Sequence, residues 1–174
     1  MRSLQFLMVA AAVCSAARAT TLQHLTVKDM ALRSTQVVRG YVQHDRTGTC
    51  GPMVCTHYRV VVSDWWKGSG GHVVDIAVQG GVLNGMRETW EGTPELVDGQ
   101  EYVLFLWHSS LGTNLILGLS QGLFTVDQRA GEAVQSAATG HVVESSGAGV
   151  NPDPVRMNLA QMRKYVQRVV AEAR

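Results

Sequence analysis

The residues best suited to chemistry lie between positions 44 and 57. Cys50 and Cys55 enclose four residues in the stretch CGPMVC, and one histidine stands on each side, at His44 and His57. Thiolate and imidazole groups are preferred zinc ligands, and two nearby cysteines can also form a reactive dithiol or a disulfide. The stretch therefore admits three interpretations: a metal site, a redox centre or a cross-link.

Side-chain parity argues against the metal site. Alternate side chains of a strand point to opposite faces of the sheet. His44 has the same parity as Val42, whereas His57 has the parity opposite to Val60. If both valine-bearing faces point inward, the two imidazoles leave the hairpin on opposite sides. We therefore predict no bound metal, and we keep a metal-binding or enzymatic site at the two histidines and two cysteines as the alternative.

The spacing of the cysteines argues against redox chemistry and favours a disulfide. A reactive dithiol is usually a Cys-x-x-Cys at the N-terminus of a helix, which lowers the pKa of one thiol. Here four residues separate Cys50 from Cys55, and the β-branched run ending at Val62 predicts a strand. In an oxidising compartment the two cysteines should be joined. So small a ring stabilises the fold by only about 2 kcal/mol. Its larger effect is to rigidify the enclosed candidate binding residues, Gly51, Pro52, Met53 and Val54.

Three tryptophans, Trp65, Trp66 and Trp90, complete the candidate binding surface. Exposed aromatic side chains contribute strongly to many protein interfaces. Because neighbouring strand residues point to opposite faces, we expect one of Trp65 and Trp66 in the core and the other near the surface. Trp90 stands in a short polar edge strand, where it could extend an aromatic contact for a partner protein or peptide.

The first 19 residues predict a cleaved signal peptide. Arg2 gives a positive start, residues 4–13 form a ten-residue segment that is apolar except at Gln5, and Ala17-Arg18-Ala19 supplies small residues at −3 and −1. The run has about half of the 20 residues that a membrane-spanning helix needs, so no membrane anchor is expected after cleavage. The mature chain should begin at Thr20 and be exported to the periplasm or the extracellular medium.

Charge and motif content exclude several classes of function. Removal of Arg2 and Arg18 leaves 13 of 15 basic residues against 14 acidic ones, so the formal charge changes from +1 to −1. A nucleic-acid partner normally requires a basic excess and is not expected. The sequence has no His-Glu-x-x-His helix, phosphate-binding loop or dinucleotide fingerprint. We therefore predict no catalytic residue, no serine nucleophile and no cofactor.

Hydrophobic periodicity predicts a helix at each end of the chain. Residues 21–33 show a loose helical pattern with Thr21 as N-cap. Residues 145–157 have the composition of a linker. The remaining residues, 158–174, begin at a capping Asn158 and carry an apolar stripe, so this amphipathic helix should dock on the preceding domain.

Between the helices the period changes from 3.6 to 2, which predicts short strands. Gly40 in the first strand suggests a bend or bulge, and residues 45–48 predict a turn. The run 101–107 is apolar on both faces, as in a central strand covered on both sides. Five to six strands with glycine corners and no βαβ alternation predict a mainly β domain over residues 20–144, a small OB-like barrel. An immunoglobulin-like sandwich is the alternative, but the tryptophan between two well-separated cysteines is missing.

The order of these pieces resembles a family of exported bacterial proteins whose activity is uncharacterised. The resemblance covers roughly residues 21–127 and rests on five segments: 34–42, 66–68, 80–81, 99–106 and 118–124. The layout is more distantly similar to the OB-fold module of the tissue inhibitors of metalloproteinases and of netrins. Those inhibitors chelate a protease's zinc through an N-terminal cysteine. Here the predicted mature end has no cysteine before Cys50, so that chemistry is carried over to no residue.

Together these features predict an exported, non-enzymatic binding or inhibitor-like module. Its expected partner is another protein or a peptide, recognised through loops at one end of the barrel.

Overall fold

The computed structural model describes residues 21–136, 141–143, 149–150 and 153–173. The predicted signal peptide lies outside the described residues. The two α-helices are α1 (Val27–Arg33) and α2 (Leu159–Glu172), and a 3-10 turn covers Leu119–Gly122. The strands are β1 (Thr21–Gln23), β2 (Gln36–Cys50), β3 (Met53–Lys67), β4 (Val73–Gln79), β5 (Gly81–Leu83), β6 (Met86–Glu88), β7 (Glu101–His108), β8 (Asn114–Ile116), β9 (Leu123–Asp127), β10 (Glu132–Gln135), β11 (His141–Val143), β12 (Gly149–Val150) and β13 (Arg156–Asn158).

Five strands close into a barrel in the order β7-β2-β3-β4-β8, with β8 pairing back to β7. All of these pairings are antiparallel except that between β4 and β8. The sheet extends from β7 through β9 and β10 to β13, outside the closed ring. The prediction of a mainly β protein with an OB-like barrel is thus confirmed.

Strand β7 separates two hydrophobic cores. Residues 101–106 are all buried, and their side chains alternate between the two sides. Tyr102, Leu104 and Leu106 lie in the inner core, which fills the barrel. Val103 and Phe105 lie in the outer core, between the sheet and the two helices. The prediction of a central strand covered on both faces is confirmed.

The predicted N-terminal helix over 21–33 is wrong in its extent. Residues 21–23 form β1, which pairs in parallel with β11, and α1 begins only after Thr26. The Thr26 hydroxyl accepts a hydrogen bond from the main-chain N–H of Asp29 (3.1 Å), and the Asp29 carboxylate accepts one from the N–H of Thr26 (3.0 Å). This capping box fixes the start of the helix, and hydrogen bonding from Thr26 lowers the pKa of Asp29.

The C-terminal helix docks on the barrel. Asn158 is its N-cap and accepts hydrogen bonds from two main-chain N–H groups of the first turn. Met162, Val166 and Val169 are buried in the outer core. The last two residues of the predicted linker over 145–157 belong to β13, which pairs with β10. Residues 145–148 and 151–152 of that linker lie outside the described residues.

The hairpin β2–β3 is longer than its sequence pattern predicts, with 15 residues in each strand. The turn expected over residues 45–48 is wrong. Strand β2 continues through these residues, and the register shifts between His44 and Arg46. A bulge accommodates an extra residue inside a strand and bends it, so turn-favouring residues need not end the strand here. The chain reverses instead at Gly51 and Pro52.

Gly40 lies where the hairpin bends, beside another register shift. A methyl group at this position would overlap the carbonyl oxygen of Val61 and the side chain of Val60. The bend expected at Gly40 is therefore present, and it depends on the missing side chain.

We predict that Gly40→Ala lowers the free energy of unfolding by about 1–3 kcal/mol, because the added methyl group overpacks a site bounded by main chain. Gly71→Ala is the matched control, since the nearest atom to its added methyl carbon would be 4.0 Å away. Urea denaturation of both variants measures the difference. Equal stabilities would contradict the role assigned to Gly40.

Candidate functional site

The two cysteines form the predicted disulfide at the end of the β2–β3 hairpin. Cys50 lies opposite Met53 and Cys55 lies opposite Gly48, so the bond crosses the hairpin diagonally. Both cysteines are buried, and they pack with Ala77 on a cluster outside the barrel. The cross-link therefore holds the end of the hairpin against the outer surface of the sheet.

Residues 51–54 form the tip of this hairpin. Gly51 and Pro52 are exposed, whereas Met53 and Val54 are half-buried. Gly51 has a φ of +61°, a left-handed conformation that favours glycine. Leu111, from the loop between β7 and β8, lies beside it: a Cβ added to Gly51 would be 3.1 Å from Leu111 Cδ1. The tip is therefore supported by a second loop.

Glu88 joins the tip to Trp90. One carboxylate oxygen accepts a hydrogen bond from the main-chain N–H of Val54 (3.2 Å). The other accepts one from the indole N–H of Trp90 (2.7 Å). The carbonyl of Val54 in turn accepts a hydrogen bond from the N–H of Gly80 (2.8 Å). The structure thus places two of the predicted binding elements together, through a glutamate that the sequence pattern did not single out.

The other two predicted tryptophans do not belong to this surface. Trp66 is only 4% exposed and lies in the outer core, where its indole N–H donates to Asp64 (3.0 Å). Trp66 is therefore unavailable to a partner, because a register shift turns its side chain towards the helices. Trp65 is half-buried and packs against the inner core. It lies near the opposite end of β3, well away from the tip.

A tryptophan that the sequence analysis did not single out lies near the tip. Trp107 is 39% exposed, comparable to Trp90 at 44%. It stands at the end of β7, where the doubly covered run has ended and the side chain leaves the core. The position of Trp107 at the end of a predicted strand is the sequence feature that could have identified it as exposed. Trp107 borders a mainly apolar cavity of about 150 Å³, whose other lining residues include Val78, Pro94, Leu115, Ile116 and the polar Gln79 and Thr93.

A second depression lies on the other side of Pro94. Its volume is about 440 Å³, and Tyr58, Arg87, Trp90 and Leu96 are among the residues that line it. Burial, together with nearby Glu95 and Tyr102, raises the pKa of Tyr58 above its ordinary value. Its phenol group therefore stays protonated and uncharged at neutral pH.

We define the tip surface as residues 51–54, Trp90, Trp107 and Leu111. Its elements come from three parts of the chain and are held by the disulfide, by Glu88 and by strand pairing. It combines exposed aromatic and aliphatic groups with two depressions.

The alternative metal site does not assemble. His44 lies opposite Tyr58 and makes an edge-to-face contact with its ring (5.7 Å between centroids). His57 lies on the other face of the hairpin, the face of Cys55. Both cysteines are already bonded to each other. Across the described ranges, no three His, Cys, Asp or Glu side chains lie close enough to hold a metal ion.

The sequence Gly118-Leu119-Ser120-Gln121-Gly122 has the Gly-x-Ser-x-Gly pattern, which the sequence analysis missed when it predicted no serine nucleophile. In hydrolases this pattern places an exposed serine between a strand and a helix. Here Ser120 is 2% exposed and lies in a 3-10 turn that leads into β9. The arrangement is a tight corner, because a methyl group on Gly122 would overlap the carbonyl of Leu117. Ser120 is therefore not placed to attack a substrate.

No protein-family model matches the sequence, and no curated protein matches it at a significant level. Neither of the helices in the described part of the chain is long and apolar enough to cross a membrane.

We predict that Glu88→Ala releases the tip from Trp90. The main-chain N–H of Val54 should exchange with solvent at least about tenfold faster, because it loses a bond to a charged acceptor. The indole N–H resonance of Trp90 should shift in the same spectrum. Glu91→Ala, at a neighbouring exposed glutamate, is the control. Unchanged exchange at Val54 in Glu88→Ala would show that Glu88 does not hold the tip.

Proposed function

We propose that this protein is an exported, non-enzymatic binding or inhibitor-like module that recognises another protein or a peptide through the tip surface. The observation that carries the proposal is the apolar cavity beside Trp107. It is bordered by the exposed indole of Trp107 and stands on a closed barrel.

The size of the cavity beside Trp107, unlike that of the 440 Å³ depression lined by Trp90, favours one side chain of a protein or peptide over a small-molecule ligand. Pockets for cofactors and drug-sized ligands have volumes of about 300–1,000 Å³. The cavity beside Trp107 is about 150 Å³, the volume of an apolar cavity that holds a benzene molecule. One aromatic or branched aliphatic side chain of a partner would fill it. Such an anchor in a pocket is typical of the centre of a protein interface.

The rigidity of the tip surface supports the same proposal. Binding costs free energy when loops must be ordered, and a surface that is ordered beforehand avoids that cost. The disulfide and the two hydrogen bonds to Glu88 hold the tip and Trp90 in place.

Export is proposed on two grounds. A disulfide between Cys50 and Cys55 is consistent with an oxidising compartment. The N-terminal sequence has the pattern of a cleaved signal peptide. We therefore propose that the protein acts in the periplasm or the extracellular medium.

A library of linear peptides displayed on phage and selected on the oxidised protein tests the proposal. We expect the selected peptides to share an aromatic or leucine residue. Trp107→Ala should weaken their binding by about 10- to 100-fold, because it removes one wall of the anchor cavity.

Two leucines that are both more than 40% exposed give a matched comparison: Leu111 on the tip surface is the test position, and Leu32 on α1 is the control. Leu111→Ala should weaken binding and Leu32→Ala should not. Selected peptides that bind equally to wild type and Trp107→Ala would contradict the anchor role. Failure to select any peptide would argue against peptide recognition, and equimolar zinc in the purified protein would favour the metal-binding alternative.

A further inference from the structure

Strands β4 and β8 close the barrel over only part of their length, and we call the unpaired part of this junction the seam. Strand β4 pairs with β3 from residue 73 to residue 79, but with β8 only at Ile76 and Ala77. Within the part of the chain that the structure describes, residues 73–75 therefore have a neighbouring strand on one side only. The loop that precedes β8 is closed by a hydrogen bond from the N–H of Gly112 to the carbonyl of Ser109 (3.0 Å), and it does not pair with residues 73–75.

The main-chain groups of alternate residues face this seam. The N–H of Val62 in β3 donates to the carbonyl of His72 (2.8 Å), so His72 faces β3. Main-chain groups two residues apart in a strand point in the same direction, so Val74 also faces β3, whereas Val73 and Asp75 face the seam. The side-chain amide of Asn114 confirms this orientation, since it donates to the carbonyl of Asp75 (3.0 Å).

The seam opens into a groove of about 470 Å³. Trp65 lines it, and Gly70 lies so close to the indole ring that an added Cβ would be 2.7 Å from Cζ2. Gln36 also lines the groove, and its buried Oε1 has no hydrogen-bond partner among the described residues. Val73 is 45% exposed at its edge.

We propose that this seam binds an extended peptide segment of a partner as an added β-strand. Three main-chain groups face the seam for such pairing: the N–H and C=O of Val73 and the N–H of Asp75. The fourth group, the carbonyl of Asp75, already accepts from Asn114, so the added strand ends there. Main-chain pairing of this kind gives affinity, and pockets for alternate side chains give specificity. The chemistry recognised is thus an extended main chain with free N–H and C=O groups.

The seam has only some of the features that protect sheet edges. It is short and carries the charged Asp75, but residues 73–75 include no proline or lysine. Here the edge begins at Val73 and is preceded by the exposed Gly70 and Gly71. The proposal goes beyond the tip surface, because neither Trp107 nor Leu111 lines this groove.

Val73→Pro tests the seam directly. Proline removes the one N–H that Val73 directs to the seam, and prolines are tolerated in edge strands whose N–H faces outward. The variant should remain folded, whereas the matched Val74→Pro, which removes a bond to β3, should destabilise the barrel. Linear peptides are selected from a displayed library on wild type, and only those that also bind Trp107→Ala are kept. These peptides should bind Val73→Pro at least tenfold more weakly.

A second measurement does not depend on the folding of the variant. The same peptides, synthesised with N-methyl groups at alternate residues, should lose binding to wild type in only one of the two methylation registers, because one set of N–H groups faces the seam. Binding that survives Val73→Pro and both methylation registers would overturn the proposal, as would the absence of any peptide independent of Trp107. Peptides that depend on Trp107 alone would support the tip surface and overturn the seam.

Discussion

The path of the protein's longest hairpin depends on the contact between Gly40 and the main chain of Val61, where no side chain fits. The register of the hairpin shifts beside Gly40 and at two further places, and each shift increases bending and twist. Strand alternation lets neighbouring residues of β2 contribute to both cores: Val38 lies inside the barrel and Val37 lies under the helices. Closure of the barrel, and the position of everything built on it, follow from this bend.

Two surfaces lie on that frame, and they suit different parts of a partner. The tip surface offers a cavity for one side chain, next to Trp107. The seam offers main-chain groups of Val73 and Asp75 to an extended segment. The loop between β7 and β8 links them, since Leu111 touches Gly51 while the following residues line the seam groove. A peptide that crossed this loop would contact both surfaces.

Sequence patterns predicted the parts of the fold that local physics determines. Residues 102–106 are apolar at every position that the two cores require, and Cys50 and Cys55 are close enough in sequence to bond without knowledge of the fold. The site was less predictable, because its contacts join distant segments. Glu88 reads as an ordinary charged residue until the fold places it beside Val54. Alternation predicted that one of Trp65 and Trp66 lies in a core, but it did not identify Trp66 or the outer core.

The central claim is that the barrel is a rigid frame and that the disulfide specifically orders the tip. Backbone ¹⁵N relaxation of wild type and of the Cys50→Ala/Cys55→Ala double variant tests this claim. In wild type, residues 51–54 should have order parameters of about 0.85, as in rigid backbone, and in the variant they should fall below about 0.6. Residues 101–106 of β7 should not change. A tip that is equally ordered without the disulfide, or a barrel that loses order with it, would contradict this account.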